Sequence, residues 1–402
     1  MSARASCLLE RTMPETPTIS IVTPSYNQDA YLEDTIKSVI SQQGDFYIDY
    51  IIIDGGSTDS SVDIIKRYEQ ILKNGEWKQS CRGIRFRWVS EKDNGQTHAI
   101  NKGFEIAKGE ILSWINSDDM YSPNSFATVM NHFTMNPNDD FLYGDGDVID
   151  ENGIVQWEWL SRPYNYNLMK SYHFLWNDFT NYIMQQATFW RKRVSTRIGM
   201  LDESFHYAMD VEYWIRAGSA NLRLAHIPKK LGQFRLITGT KSLSSPTIFW
   251  PDMLEIFRKY NGAKHMTPFL AYYYYNEAIH NNFDVEKAWE DTKKIFTRWE
   301  HVETDEKLVL YNKAKWGFGI SCLITMNAAY NAGNKQASYA ISKKIGRDYP
   351  TLLFHPLYVG YRFKLIIGYY MSTRLQGWLQ ACISKYRKVR YQSRYSNRSN
   401  PG

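Results

Sequence analysis

What this 402-residue chain has little of narrows the reading first. Its four cysteines, Cys7, Cys81, Cys322 and Cys382, lie far apart and match no zinc or redox spacing. Free thiols in a reducing compartment are expected. No uncharged run approaches the ~18 residues that span a bilayer, and the opening Met1-Ser2-Ala3-Arg4-Ala5-Ser6-Cys7-Leu8-Leu9-Glu10 has no apolar core of signal-peptide length. Neither a spanning helix nor export is expected, and the location implied is cytoplasmic. Acids are missing from Ala381 onward, where Lys385, Arg387, Lys388, Arg390, Arg394 and Arg398 fall. The remainder carries 42 basic and 42 acidic residues, so the net charge of +6 belongs to the tail. A dispersed basic surface for duplex nucleic acid is not indicated.

What is present is apolar and aromatic. A hydrophobic content of 43% excludes a largely disordered chain, and 29 Tyr and 13 Trp bring the aromatic share to 15%. Most of these rings are expected in the core, with some available to sugar-binding clefts. The length exceeds one ordinary core, so two units are expected.

The most informative stretch is Glu110-Ile111-Leu112-Ser113-Trp114-Ile115-Asn116-Ser117-Asp118-Asp119. An apolar strand ends there in a cluster of oxygen ligands suited to Mg²⁺ or Mn²⁺, and Mg²⁺ is usually shared between one or two carboxylates and substrate phosphates. A diphosphate-bearing substrate follows from that chemistry, although adjacent acids after a strand also serve as solvated turns or helix caps. Three similar runs precede it: Ile19-Ser20-Ile21-Val22-Thr23 into Pro24-Ser25-Tyr26-Asn27, Tyr50-Ile51-Ile52-Ile53 into Asp54-Gly55-Gly56-Ser57-Thr58-Asp59, and Phe86-Arg87-Trp88-Val89-Ser90 into Glu91-Lys92-Asp93-Asn94-Gly95. Helical spacing follows each one, as in Tyr31, Leu32, Ile36, Val39 and Ile40 after the first. The alternation predicts an α/β fold with a mainly parallel sheet, whose ligands bind beyond the carboxyl ends of the strands.

These motifs, in this order, resemble glycosyltransferase family 2, and the resemblance continues through Gln186-Ala187-Thr188-Phe189-Trp190-Arg191, Gly199-Met200-Leu201-Asp202-Glu203 and Tyr207-Ala208-Met209-Asp210-Val211-Glu212-Tyr213-Trp214-Ile215-Arg216 to Phe234-Arg235-Leu236. It implies a GT-A fold, Rossmann-like with flanking helices, over about residues 18–245. It also implies inverting transfer of a sugar from a nucleotide-diphosphate donor to a hydroxyl of a glycan or lipid-linked acceptor, as in surface polysaccharide or glycolipid synthesis. Residues 1–17 read as a flexible lead, and residues 246–402 as a helical accessory region without a repeat of fixed period. At its end Leu375, Trp378, Leu379, Cys382, Ile383, Tyr386 and Val389 make an amphipathic basic helix, expected to attach to an anionic membrane face.

The resemblance also implies roles. Asp118 matches the last acid of the family's Asp-x-Asp motif and would bind Mn²⁺ or Mg²⁺, with Asp119 as a second ligand or orienter; Asn116 stands where the first acid is common. Asp54 and Asp93 would contact base and ribose, UDP or dTDP being favoured, with Pro24, Tyr26 and Asn27 as pocket walls. Asp54 has helix capping as its other reading. Arg235 and Lys241 resemble the basic loop over the diphosphate, where Ile237 replaces a frequent His, and His98 stands where an acid is common. Asp210 would be the general base. Glu212, Trp214 and Arg216 would either face the acceptor or form a structural pair with a packed Trp. A nucleotidyltransferase should carry a Gly-rich, Lys/Arg-bearing loop after the first strand, and Pro24-Ser25-Tyr26-Asn27 is not one. A non-catalytic glycan-binding scaffold would not require Asp54, Asp93, Asp118 and Asp210.

Overall fold

The computed structural model describes residues 18–172, 183–237, 249–296, 299 and 302–367. The first predicted strand, β1 (Thr18–Ser25), is buried along its whole length, as a β-branched run covered on both faces should be. It pairs in parallel with β2 (Tyr47–Asp54) and β4 (Ile111–Trp114), and β2 pairs in parallel with β3 (Gly83–Ser90). Between them run α1 (Leu32–Ile40), α2 (Ser61–Lys73) and α3 (Gln96–Ile106). Helix α1 buries Leu32, Ile36, Val39 and Ile40 and carries Glu33 and Asp34 in its first turn and Lys37 in its last, the placement that complements its dipole.

Beyond β4 the sheet turns mixed. The short β5 (Met120–Tyr121) is followed by α4 (Ser125–Met135), β6 (Phe141–Ile149), the edge strand β7 (Val155–Trp159), β8 (Thr188–Arg191) and the long β9 (Leu224–Arg235). The order is β3-β2-β1-β4-β8-β6-β9-β5, with β7 on β6. Strand β8 is antiparallel to both β4 and β6, and β9 runs parallel to β6. The parallel character read from sequence thus holds for β1 to β4, and the downstream half is built by strands returning from far along the chain.

Aromatic residues do fill the core: Trp190 packs against Phe104, Trp114, Phe141 and Tyr213 with centroids 5.3–5.8 Å apart. Each such pair adds about 0.5–1.5 kcal/mol beyond burial. Helix α3 reaches this cluster because it carries Gly103, where a Cβ would stand 2.4 Å from a methyl of Val22. Gly103→Ala would force the helix off the sheet, at roughly 1–3 kcal/mol.

The chain divides into compact units at Met1–Tyr260 and Asn261–Gly402. The second contains helices Thr267–His280, Val285–Phe296, Thr304–Asn331, Lys335–Asp348 and Pro356–Ile367. Its core includes Leu270, Tyr274, Phe318, Cys322, Met326 and Ile341. Burial pushes the Cys322 thiol up to about 12, so it behaves as an apolar side chain. Cys81 is the other free thiol described; Cys7, Cys382, the lead at residues 1–17 and the amphipathic segment Leu375–Val389 lie outside the described residues. No helix among the described residues is long and apolar enough to cross a membrane.

Candidate functional site

In-register pairing of β1, β2 and β3 aligns Ser25, Asp54 and Ser90 in one row. The loops beyond them therefore leave the sheet side by side. Asp54 is fully buried and spends its carboxylate on these loops: Oδ2 accepts from the Gly56 and Ser57 N–H groups and the Ser90 hydroxyl at 3.1, 3.0 and 2.7 Å, and Oδ1 from the Ser57 hydroxyl. A carboxylate engaged this way shapes the pocket wall rather than presenting itself to a base. Its donors lie in the loops and at the end of β3 and not in α2 (Ser61–Lys73), so it does not cap that helix either. Asn27, in the left-handed region at φ 51°, accepts from Thr58 N–H at 2.8 Å and donates its own N–H to the Ser57 hydroxyl, tying the first loop to the second.

Asp93 is more open. It accepts from Gly95 N–H at 2.8 Å and lies so close over Gly55 that a Cβ there would meet its Oδ2 at 2.9 Å. Pro24 is buried and Tyr26 is 61% exposed, so the Tyr26 ring is available to a ligand. Two buried polar atoms of this region have no partner among the described residues, Ser25 Oγ and His98 Nδ1.

After β4 the backbone presents two adjacent acids in different states. Asp119 is 1% exposed; its Oδ2 accepts from Gln186 Nε2 at 2.8 Å and Asn116 Nδ2 at 3.1 Å, and its Oδ1 from Arg235 N–H at 2.9 Å. Asn116 is held in turn by Gln96 at 2.7 Å. The Asp118 side chain is partly buried and accepts no hydrogen bond among the described residues, while its backbone carbonyl accepts from Arg235 Nε. Burial raises the proton affinity of both acids, and the Asp118 carboxyl adds to the rise at Asp119. Two neighbouring carboxylates so placed are stabilised in charged form by a cation. Asp118, with free oxygens in that setting, fits a divalent ion, although no group of three or more His, Cys, Asp or Glu gathers among the described residues.

Arg235 is committed inside the protein. It is 1% exposed and donates to Asp34 Oδ2 at 3.0 Å and Glu151 O at 2.9 Å while stacking on Tyr31. The expectation that it covers a diphosphate is corrected accordingly: its backbone N–H and Nε fasten the Asp118-Asp119 turn, and its two Nη groups go to Glu151 O and Asp34. Lys241 lies outside the described residues.

The helix Met209–Ser219 carries the acceptor-side motif. Asp210, in its first turn, is partly buried; Oδ1 accepts from Val211 N–H at 2.7 Å, and burial pushes its carboxyl up to about 6. Glu212 is fully buried and accepts from Arg216 Nε and Nη2 at 3.1 and 2.8 Å, Lys259 Nζ at 2.9 Å and the Tyr260 hydroxyl at 2.6 Å. Arg216 also donates to Ile198 O, and Trp214 is fully buried. These three side chains do not face an acceptor. Of the two readings of this motif the structural pair with a packed Trp is the one observed, because a buried carboxylate needs its cations close.

Sequence reasoning missed Gln186, Gln96, Ser57 and Asp34. Gln186 sat inside a recognised motif, yet nothing in that motif marks Asp119 as its partner 67 residues away. A cavity of about 370 Å³ beside α1 and β5, lined by Asp34, Ser38, Gln42, Met120, Tyr121 and Gln233 among others, includes none of the predicted site residues.

A family model described as glycosyl transferase family 2 matches residues 20–197. A glycosyltransferase of Mycobacterium tuberculosis is 30% identical over 211 residues, which cover 51% of this chain and 70% of that protein. The chain belongs to glycosyltransferase family 2. This glycosyltransferase is also 26% identical over 219 residues to the O-antigen biosynthesis protein RfbC of Myxococcus xanthus, covering 54% of this chain and 16% of RfbC. The crystal structure of S. aureus TarS 1-349 in complex with UDP-GlcNAc aligns over 86% of this chain and 91% of TarS at 16% identity, with a TM-score of 0.47. The family 2 unit has the GT-A-type sheet with flanking helices, mixed where a mainly parallel one was expected, and a helical C-terminal region follows it in sequence.

Proposed function

We propose that the protein is an inverting, metal-dependent glycosyltransferase that moves a sugar from a UDP- or dTDP-linked donor to a hydroxyl of a glycan or lipid-linked acceptor in surface polysaccharide synthesis. The observation that carries the reading is the asymmetric acid pair: Asp119 is fixed by Gln186, Asn116 and the Arg235 N–H, and Asp118 beside it is left open. Asp118 would hold Mn²⁺ or Mg²⁺, and a bound divalent ion supplies neutralisation of charge on the leaving diphosphate. Asp93 and the Tyr26 ring line the donor side, with Asp54 and Asn27 shaping the loops around it. Asp210, held up to about 6, is ionised at neutral pH yet more basic than an ordinary carboxylate, which suits it to take the acceptor hydroxyl's proton at its free oxygen. The relationship to RfbC, named for O-antigen biosynthesis, supports a surface-glycan product.

No observation favours a nucleotidyltransferase, since the β1 loop Pro24-Ser25-Tyr26-Asn27 lacks both glycine and base. A thermal-shift screen of nucleotide sugars with Mn²⁺ tests the proposal. A cognate donor at 100 Kd should stabilise the native state by about 2.7 kcal/mol, and the shift should vanish in EDTA. No shift with any UDP- or dTDP-sugar would overturn it.

We also propose that the C-terminal end docks on an anionic membrane surface. The sequence has no acid after Asp348. The helix Pro356–Ile367 exposes Leu357, Val359, Phe363 and Leu365, and Phe354 just before it is 85% exposed; these exposed apolar side chains support the expectation for Leu375–Val389. Removing residues 375–402 should abolish salt-sensitive binding to anionic vesicles while donor hydrolysis persists. Equal vesicle binding by both chains would refute the docking.

A further inference from the structure

The segment leading into Asp210 is fastened by a helix that follows it by about forty residues. In the helix Trp250–Asn261, Asp252 is 3% exposed and its Oδ2 accepts from two consecutive backbone N–H groups, those of His206 at 2.8 Å and Tyr207 at 2.7 Å. About two turns on, Lys259 and Tyr260 reach Glu212, and Lys259 also lies 3.5 Å from Asp202. The stretch 202–212 is therefore held before and after Asp210. The anchors fall three and four residues upstream and two downstream.

We infer that the helix Trp250–Asn261 positions the candidate base, with Asp252 and Tyr260 as positioning residues for Asp210; the inference rests on the reading of Asp210 as the base. Cohesion alone does not call for this arrangement, because buried ion pairs can be replaced by apolar groups at little cost in stability. What charged anchors add is directional fixing of backbone and side chain. Fixing matters here because a misplacement of 1 Å at a reacting group can cost about 10²-fold in rate.

The charged groups around this segment are Asp202, Glu203, His206, Glu212, Arg216, Asp252 and Lys259. Both cations from the neighbouring turns are turned onto Glu212, and no cation pairs with Asp210 among the described residues. Burial alone raises its proton affinity. The proton affinity of Asp210 thus reads how closely the segment is shut over it, and loosening the anchors admits water and lowers it.

The test uses the full chain, with UDP release from UDP-glucose, or dTDP release from dTDP-glucose, in Mn²⁺ across pH 4.5–8. Asp252→Ala should lower kcat by about tenfold or more with the donor KM within about twofold, and should move the acidic limb of the kcat profile to lower pH. Asp252→Asn, whose amide oxygen can still accept both N–H groups, should restore kcat and the limb. Should Asp252→Ala fail to fold, Tyr260→Phe carries the same split, since it removes one hydroxyl and keeps the ring. An unchanged kcat and limb in a folded Asp252→Ala or Tyr260→Phe variant would overturn the positioning role while leaving the base assignment intact. An unchanged kcat in Asp210→Asn would instead remove the base assignment, and the positioning role with it.

Discussion

Two acid pairs sit at different places in the catalytic unit and follow the same plan. After β4, Asp119 is saturated by three donors and Asp118 accepts none among the described residues. At the start of the helix Met209–Ser219, Glu212 is saturated by four donors from three residues, and among the described residues Asp210 accepts only from the N–H of its neighbour. One acid of each pair fixes the local backbone and the other keeps oxygen lone pairs for chemistry. The difference lies in what fixes them: neutral amides and a backbone N–H in the first pair, a lysine, an arginine and a tyrosine hydroxyl in the second. Arg235, the cation beside the first pair, gives its guanidinium to the Asp118 carbonyl and to Asp34 rather than to the Asp118 or Asp119 carboxylate, which suits a site completed by a further cation. The second pair has its charge balanced on Glu212, so Asp210 is free to exchange a proton.

The comparison can be broken by exchanging what each acid offers. The largest effect is expected at Asp118→Asn, which should lower transfer by about 10³-fold, the several kcal/mol that metal-assisted charge stabilisation supplies. Wild-type turnover in excess EDTA would place the metal role elsewhere. Next is Asp210→Asn, with kcat down by about 10²-fold and donor binding by calorimetry unchanged.

The same Asp210→Asn variant should be more stable than the parent at neutral pH. Its carboxyl is raised in the folded state to about 6, so its favourable contribution is complete below the unfolded pKa and is lost as pH rises through the folded one. The parent should lose about 1–3 kcal/mol over that window, and the amide variant should not; parallel melting curves from pH 4 to 7.5 check this. In activity the sign reverses, since the base works only when deprotonated: kcat should rise with pH through about 6 and then level. Glu212→Gln points the other way in stability. It removes the fully buried carboxylate on which Arg216, Lys259 and Tyr260 converge and should cost about 3 kcal/mol, read as a fall in Tm. A Glu212→Gln protein as stable as the parent would show that the two acids of this pair are not divided as described.

How much of this was legible depended on the distance between partners in sequence. The four strand-end clusters and their acids were readable because each lies within one strand-loop unit, and Tyr26, Asp93 and Asp118 stand open where local pattern placed them. The partners of Asp119 and Arg235 were not readable. Arg235 meets Asp34 across 201 residues and Asp119 across 116, a separation at which hydrophobic period and turn chemistry carry no information. Arg235 looks from sequence like a surface base in a loop, and only its burial at the end of β9 shows otherwise. Glu212 and Arg216 are spaced as helix neighbours, so their pairing was foreseeable. Lys259 and Tyr260 were not, because they arrive from a separate helix.

Strand β9 has a consequence for how the protein is made. The turn that carries Asp118 and Asp119 receives its last fastening from residue 235, through a backbone N–H and a guanidinium. On the ribosome, β1 to β4 emerge more than a hundred residues earlier, and a nascent chain ending near residue 197, where the family match stops, has the acids but not their clasp. The ordered acid turn should therefore arise late and abruptly during synthesis, after β9 has cleared the exit tunnel and slotted beside β6.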